Sequence, residues 1–365
     1  MNKYLFYWLG LLILLMGIVS SPISVGASAA GRTGPGEIRI LTINVWSGLT
    51  YRGILKMGRY PDNLEKRYEL LVTEIRRLDP HIIAIQEGNP LPSYAKRLSA
   101  DLNYEVIYRV ALGGVRFGPL GIPTNLREGD LILVKKPWKI EDLGKRRLSG
   151  FGIATNWFCF HFGQYIQALL GRALINGQPL YIYNVHLHAS PFRGAALKDA
   201  LEHLSRKLPP EEVEEALKGV EKDIERRKGE IANLIGFVKE TLPQGMPAIL
   251  LGDFNTTAES GEPQPLLAEG WVDSFRLKNP SDEGVTWNPS RNQNFREREA
   301  LSDTHDLLRA YHDHHSYRID FIFLKNILQD RILDSRVVMT PADGFCPSDH
   351  YGVLTTMRWN TGIVE

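Results

Sequence analysis

A chain of 365 residues with 43% apolar content carries enough hydrophobic surface for one large core or two ordinary ones, which separates it from disordered chains. The formal net charge is +1, and the first 29 residues contribute only Lys3, so the remainder is close to neutral. Proteins that bind long nucleic acids usually carry a basic excess, because phosphate neutralisation drives that binding; a neutral total argues against a nuclease, although it does not exclude a local basic patch.

The chain opens with Lys3, an apolar run from Tyr4 to Ser20, and small residues that include Ala27-Ser28-Ala29. This order reads as a secretory signal peptide over residues 1–29, cut after Ala29; the alternative is an uncleaved anchor that recruits Pro22 to Val25. No cysteine follows the run, which removes a lipoprotein, and no second spanning segment is apparent. The expectation is a soluble, extracytoplasmic catalytic domain over residues 36–360.

Ile38 to Ile43 reads as a first core strand ending in Asn44, followed by a glycine-rich loop from Trp46 to Tyr60. Leu64, Tyr68, Leu71, Ile75 and Leu78 recur at helical spacing across Asn63 to Leu78, and Asp79-Pro80 stops the helix. The strand Ile82 to Ile85 then leads into Gln86-Glu87. A helix over Tyr94 to Leu102, a strand over Tyr104 to Val110, a long loop over Gly113 to Gly129 and a strand over Leu131 to Val134 are predicted next.

The segment Gly150 to Leu170 holds Trp157, Phe158, Phe160, Phe162, Tyr165 and Ile166. It reads either as packed core or as an exposed aromatic patch suited to a bilayer interface. Tyr181 to Val185 delivers His186-Leu187-His188 at a strand end. Pro209 to Leu242 forms a long helix with Glu211 and Glu212 in its first turn, where the dipole favours acids. Its inner face is predicted as Val213, Leu217, Val220, Ile224, Ile231, Leu234, Ile235 and Val238, with the charged face in solvent. His305, His312, His314 and His315 crowd Asp303 to His315 without regular ligand spacing. The cysteines Cys159 and Cys346 carry no expected bridge, since a domain of this size does not need one.

The densest chemistry lies in Ile249 to Thr257, where a doubly buried strand ends in Gly252-Asp253-Phe254-Asn255. Period two puts Asp253 and Asn255 on one face, able to orient a water and hydrogen-bond a phosphoryl group; the plainer reading is an Asx turn. Glu87 follows a run too apolar to solvate it, which suits an oxygen ligand for a hard cation. His350, in Ser348-Asp349-His350, is the side chain type best suited to move protons near neutral pH.

Taken together, the ends at Asn44, Glu87, His186, Asp253, Asp320 and His350 resemble, in order and spacing over residues 38 to 357, the endonuclease/exonuclease/phosphatase superfamily, whose members hydrolyse phosphate esters with magnesium. The resemblance implies a four-layer α/β sandwich, two packed mixed sheets flanked by helices. It implies that Glu87 binds Mg²⁺ (Mn²⁺ as an alternative), that Asn44 supports it and that Asp349 completes or bridges the site. It further implies that Asp320 orients His350 as general base, that Asp253 positions the water or base, and that Asn255 and His186 hold the phosphoryl oxygens.

His186-Leu187-His188-Ala189 resembles neutral sphingomyelinases, with His188 either packed behind the site or catalytic. Leu131 to Lys135 departs from the family pattern, as does the aromatic segment 150–170. The expected function is therefore a secreted, monomeric phosphodiesterase acting on phospholipid head groups and touching the membrane through Trp157 and Phe158. Alternatives are an extracellular nuclease and an inositol-phosphate phosphatase, the last disfavoured by the lack of a dense Lys/Arg cluster.

Overall fold

The computed structural model describes residues 36–50, 58–59, 63–161, 163–189, 202, 205–206, 209–295, 315–341 and 345–359. The expected leader, Phe162, His305, His312 and His314 lie outside them. Among the described residues no helix is long and apolar enough to cross a membrane.

In chain order the first half runs β1 (Glu37–Asn44), β2 (Leu49–Thr50), β3 (Gly58–Arg59), α1 (Leu64–Leu78), β4 (Ile82–Gly88), α2 (Ser93–Leu102), β5 (Tyr104–Leu112), β6 (Val115–Phe117), β7 (Leu120–Ile122), β8 (Glu128–Lys135) and β9 (Lys139–Ser149). It continues with β10 (Ile153–Ala154), β11 (Phe158–Phe160), β12 (Ile166–Ile175), β13 (Gln178–His186), α3 (Pro210–Thr241), β14 (Ala248–Asp253), α4 (Gln264–Ala268), β15 (Val272–Asp273), α5 (Ser274–Lys278), β16 (Asp320–Lys325), β17 (Ile332–Val338) and β18 (Gly352–Arg358).

Two mixed six-stranded sheets result, ordered β17-β18-β1-β4-β8-β5 and β15-β16-β14-β13-β12-β9. Their central strands are apolar on both faces, and period two sorts the side chains between layers. Ile38, Ile40, Ile82, Ala84, Ile132 and Val134 meet Ile182, Ile249, Leu251, Ile322 and Leu324 between the sheets. The alternate residues Leu41, Ile43, Ile83, Ile85, Leu131 and Leu133 turn outward to Leu71, Ile75 and Leu98 of the first two helices. On the far side Tyr183, Val185, Leu250, Phe321 and Phe323 receive Ile231, Leu234, Phe237 and Val238 of α3. Each such aliphatic side chain contributes roughly 2 kcal/mol when fully buried, so three filled interfaces make the four-layer order the stable one. This is the sandwich that the sequence resemblance implies.

One irregularity positions the site. The pairing of β4 with β8 breaks between Ile85 and Gly88, and Glu87 takes a φ of 60° there. Such a bulge re-aims a side chain and leaves ladder carbonyls without partners. Asn184 of β13 satisfies two of them, donating from Nδ2 to the Ile85 carbonyl at 2.9 Å and the Leu131 carbonyl at 2.8 Å, while its Oδ1 accepts from Gln86 Nε2 at 2.7 Å. The two sheets are thus stapled by amides directly beneath the end that carries Glu87 and His186.

Three local expectations are corrected. The loop over Gly113 to Gly129 contains β6, β7 and the start of β8, whose short strands carry too few residues to show an alternation. The segment 150–170 is divided: β10 and β11 pair with β6 and β7 in a separate four-stranded sheet, whereas β12 from Ile166 enters the core. The polar side of α3 is not all in solvent, since Arg227 and Glu230 are fully buried. Cys159 and Cys346 are both buried free thiols.

Candidate active site

Three strand ends of the second sheet stand in register, with His186 of β13 opposite Asp253 of β14 and Asp253 opposite Asp320 of β16. Close approach of β13 to β14 requires Gly252, where an added Cβ would lie 1.9 Å from the Val185 carbonyl oxygen. The first sheet supplies Asn44 at the end of β1, Glu87 from the bulge, and Asp349 and His350 just before β18.

Asp253 joins these groups. Its Oδ1 accepts from the Asn255 N–H at 2.8 Å, the Asx-turn contact. Its Oδ2 accepts from Asn44 Nδ2 at 3.1 Å and lies 3.6 Å from His186 Nε2 and 3.7 Å from His350 Nε2. The turn and the site are therefore two uses of one carboxylate. Asn44 Nδ2 also donates to Glu87 Oε1 at 3.0 Å, and the Ser47 N–H donates to Glu87 Oε2 at 2.9 Å. His350 Nδ1 bonds Asp320 Oδ2 at 3.0 Å, and Trp287 packs edge-on against its ring at 4.8 Å. Ser348 Oγ donates to the Asn44 carbonyl at 2.6 Å and lies 3.2 Å from Asp349 Oδ1, which places buried Asp349 beside the end of β1.

The other sequence candidates are placed differently. Asn255, at a φ of 51°, donates from Nδ2 to the Leu187 carbonyl at 2.9 Å. His188 is held away from the Asp253 cluster by side-chain bonds, Nε2 to Asp223 at 2.7 Å and Nδ1 to Gln164. Phe158 opens β11 of the small sheet and Trp157 immediately precedes it, both with exposed rings.

Sequence reasoning missed several members. Glu128 and Asp130 lie in the first residues of β8, ahead of the strand predicted over Leu131 to Val134, and with Glu87, His186, Gln164 and Tyr165 they line a cavity of about 220 Å³. Thr286 Oγ1 accepts from the Ile319 and Asp320 N–H groups at 3.1 and 3.2 Å. Asn292 and Asn294 each donate to the Ser348 carbonyl at 2.8 Å, so that loop is pre-set. The signal for the two asparagines is the amide-rich run Asn288 to Asn294, which has no strand or helix period.

Burial opposes charge on every group here, so the shifts report which neighbours win. Burial would lower His350, but Asp320 and Asp253 push it up to about 10. His186 is likewise raised, by Asp253 and Glu87 against burial. Burial would raise Glu87, yet the His186 charge, the Ser47 N–H and the Asn44 amide hold it below the usual range. Glu128, buried and beside Glu87, is pushed up to about 8; burial takes Asp130 to about 6.

A protein cavity with several buried carboxylates fits a hard divalent cation, which takes oxygen ligands and neutralises mutual repulsion. Two neighbouring donor sets meet that need. Glu87, braced by the Asn44 Nδ2 donor, is one; Asp253, Asp320 and His350, whose ligand atoms all lie within 4.8 Å of one another, is the other.

The relationship is decided by a family model described as "Endonuclease/Exonuclease/phosphatase family", which matches residues 41–350. The chain belongs to the endonuclease/exonuclease/phosphatase family. No curated protein sequence matches it. Among solved structures, truncated TDP2 from Caenorhabditis elegans is similar with a TM-score of 0.56 at 15% identity, over 88% of this chain and 97% of that one. TDP2 from D. rerio, solved in complex with a single strand DNA product, gives 0.54 at 15% over 88% and 98%. An endonuclease/exonuclease/phosphatase family protein from Leptotrichia buccalis gives 0.53 at 17% over 88% and 99%. At such identities the likeness concerns the fold. Within the endonuclease/exonuclease/phosphatase family fold, the matched span runs from β1 to His350 and takes in Asn44, Glu87, His186, Asp253 and Asp320.

Proposed function

We propose that this protein is an exported, divalent-metal-dependent phosphodiesterase that acts as a monomer on phospholipid head groups. The observation that carries the lipid reading is the outer face of the four-stranded sheet β10-β11-β6-β7. Val115, Phe117, Leu120, Ile122, Ile153, Phe158 and Phe160 all point outward, while Arg116, Ala154 and Cys159 point in and are buried. A sheet facing water shows the opposite alternation. Phe117 is 60% exposed, Leu120 76% and Trp157 57%, and Trp157 packs against Phe117 at 4.0 Å. A contiguous aromatic and aliphatic patch of this kind suits the bilayer interface.

In this reading Glu87 and Asp349 would hold Mg²⁺ or Mn²⁺, with Asn44 supporting the site through its Nδ2 bond to the Glu87 carboxylate, and the ion would supply positive charge to the phosphoryl oxygens. Asp320 fixes the His350 ring through Nδ1; with the Asp320 and Asp253 charges that raise His350 offset by a bound cation, Nε2 would be free to take up and release the proton of the attacking water. Asp253 orients that water between the two histidines. His186 and Asn255 hold the phosphoryl group, positioning and charge doing most of the work.

The test is hydrolysis, with Mg²⁺, of sphingomyelin and phosphatidylcholine vesicles, single- and double-stranded DNA, and RNA. Turnover on the lipids above all nucleic acids is expected. Substituting Trp157→Ser and Phe158→Ser together should reduce vesicle binding and vesicle turnover while sparing a small soluble diester. Equal loss on both substrates with a lowered melting temperature would show the patch to be structural. A second reading, a nuclease, draws on the shared fold of the TDP2 structure solved with single strand DNA product; preferential DNA or RNA turnover would establish it. Inositol-phosphate hydrolysis fits least, because the cavity beside Glu87 is lined by acids.

A further inference from the structure

A buried ionic clasp lies behind the site, on the face of α3 that turns toward the ends of β13 and β14. Arg227 is fully buried, and its Nε donates to Glu262 Oε1 at 2.7 Å while Nη1 donates to the His188 carbonyl at 3.3 Å. The second oxygen of Glu262, itself buried, accepts from Thr256 Oγ1 at 2.5 Å. One turn on, fully buried Glu230 accepts the His188 N–H at 2.9 Å, and Asp223 takes the His188 ring at 2.7 Å. A single stretch of helix therefore holds the residues that follow His186 on one strand and those that follow Asp253 and Asn255 on the next.

Ladder pairing between these strands stops at His186 and Asp253. Beyond it the two segments are joined by the Leu187 N–H to the Asp253 carbonyl at 2.9 Å and by Asn255 Nδ2 to the Leu187 carbonyl at 2.9 Å. Removing two charges from water costs about as much as their attraction returns, so a buried ion pair adds little net stability compared with an apolar pair of the same shape. What it does add is directional: the planar guanidinium holds Glu262 through Nε and the His188 carbonyl through Nη1, fixing two acceptors from different segments at once. We propose that the Arg227–Glu262 pair, with Glu230, is a positioning device that sets the separation of His186 Nε2 and Asp253 Oδ2, 3.6 Å in this structure, and so governs kcat. This inference rests on the phosphodiesterase reading for its rate measurement, not on the lipid specificity.

The experiment compares R227M, R227M/E262L and T256V with the wild type in steady-state hydrolysis of bis(4-nitrophenyl) phosphate with Mg²⁺, alongside thermal melting. R227M strands a buried carboxylate and should melt early. In R227M/E262L that penalty disappears and the melting temperature should return toward wild type, while kcat stays at least about tenfold down and KM moves less than about twofold. Recovery of kcat together with the melting temperature would overturn the proposal and leave the clasp purely structural. Should the double variant not fold, T256V decides: a several-fold fall in kcat at unchanged KM supports positioning, and unchanged kcat refutes it. Inactivity of the wild type on this ester would instead sink the phosphodiesterase reading. The clasp is then read by NMR of the His186 imidazole, which R227M/E262L or, failing that, T256V must shift; unshifted signals overturn it.

Discussion

Asp253 is the residue through which both sheets act on the same small volume, since Asn44 and His350 come from one and His186 and Asp320 from the other. Its two oxygens are divided between holding the turn and facing the cluster, so Asp253→Asn should keep the turn and lose the charge. We expect kcat to fall about a hundredfold or more with little change in melting temperature. The same substitution should lower the His350 pKa from its raised position, because Asp253 is one of the two carboxylates that hold the proton there; an unmoved NMR titration would refute that assignment. Glu87→Ala and His350→Ala should each abolish most hydrolysis, and the double variant should be hardly worse than either, as befits groups acting in one step. The candidates Asn44, Glu87, His186, Asp253, Asp320 and His350 were legible in the sequence because each ends or begins an apolar run. Glu128 and Asp130 were not, because nothing local distinguishes an acid that starts a strand from one that ends a loop.

At the scale of elements, burial changes what a polar residue means. His81, between α1 and β4, accepts the Arg39 N–H at Nδ1 at 3.0 Å, a bond that only the neutral tautomer can make. Burial, then the Lys135 charge, pull its pKa down to about 4 from 6.5. The unfolded chain therefore binds the proton first, and this residue's contribution to stability is complete above pH 6.5 and lost as pH falls toward 4. His81→Asn, whose Oδ1 can take the same N–H, should flatten the decline of denaturation midpoint between pH 7 and pH 4.5; parallel curves for both proteins would refute the assignment. Helix α3 teaches the same lesson in reverse. Its charged residues predict a solvated face, yet Arg227 and Glu230 are enclosed by strand ends and loops that lie far away in sequence.

At the scale of the whole molecule, the described fold is a double sheet that brings buried acids to one end, and a bound cation is the simplest relief of their repulsion. Mg²⁺ should raise the melting temperature as well as activate, and EDTA should reverse both effects. Full activity in excess EDTA would remove the metal from the mechanism. The sequence by itself determined the layered α/β class and the site-bearing strand ends, because burial on two faces and period-two alternation are written in adjacent residues. Only the tertiary structure decided how those ends meet: that a bulge aims Glu87, that Asp253 touches groups from both sheets, and that two short hairpins from separate segments join into one outward-facing apolar sheet. Each of these depends on pairing between residues distant along the chain, and the free energy of such contacts has no local signature to read.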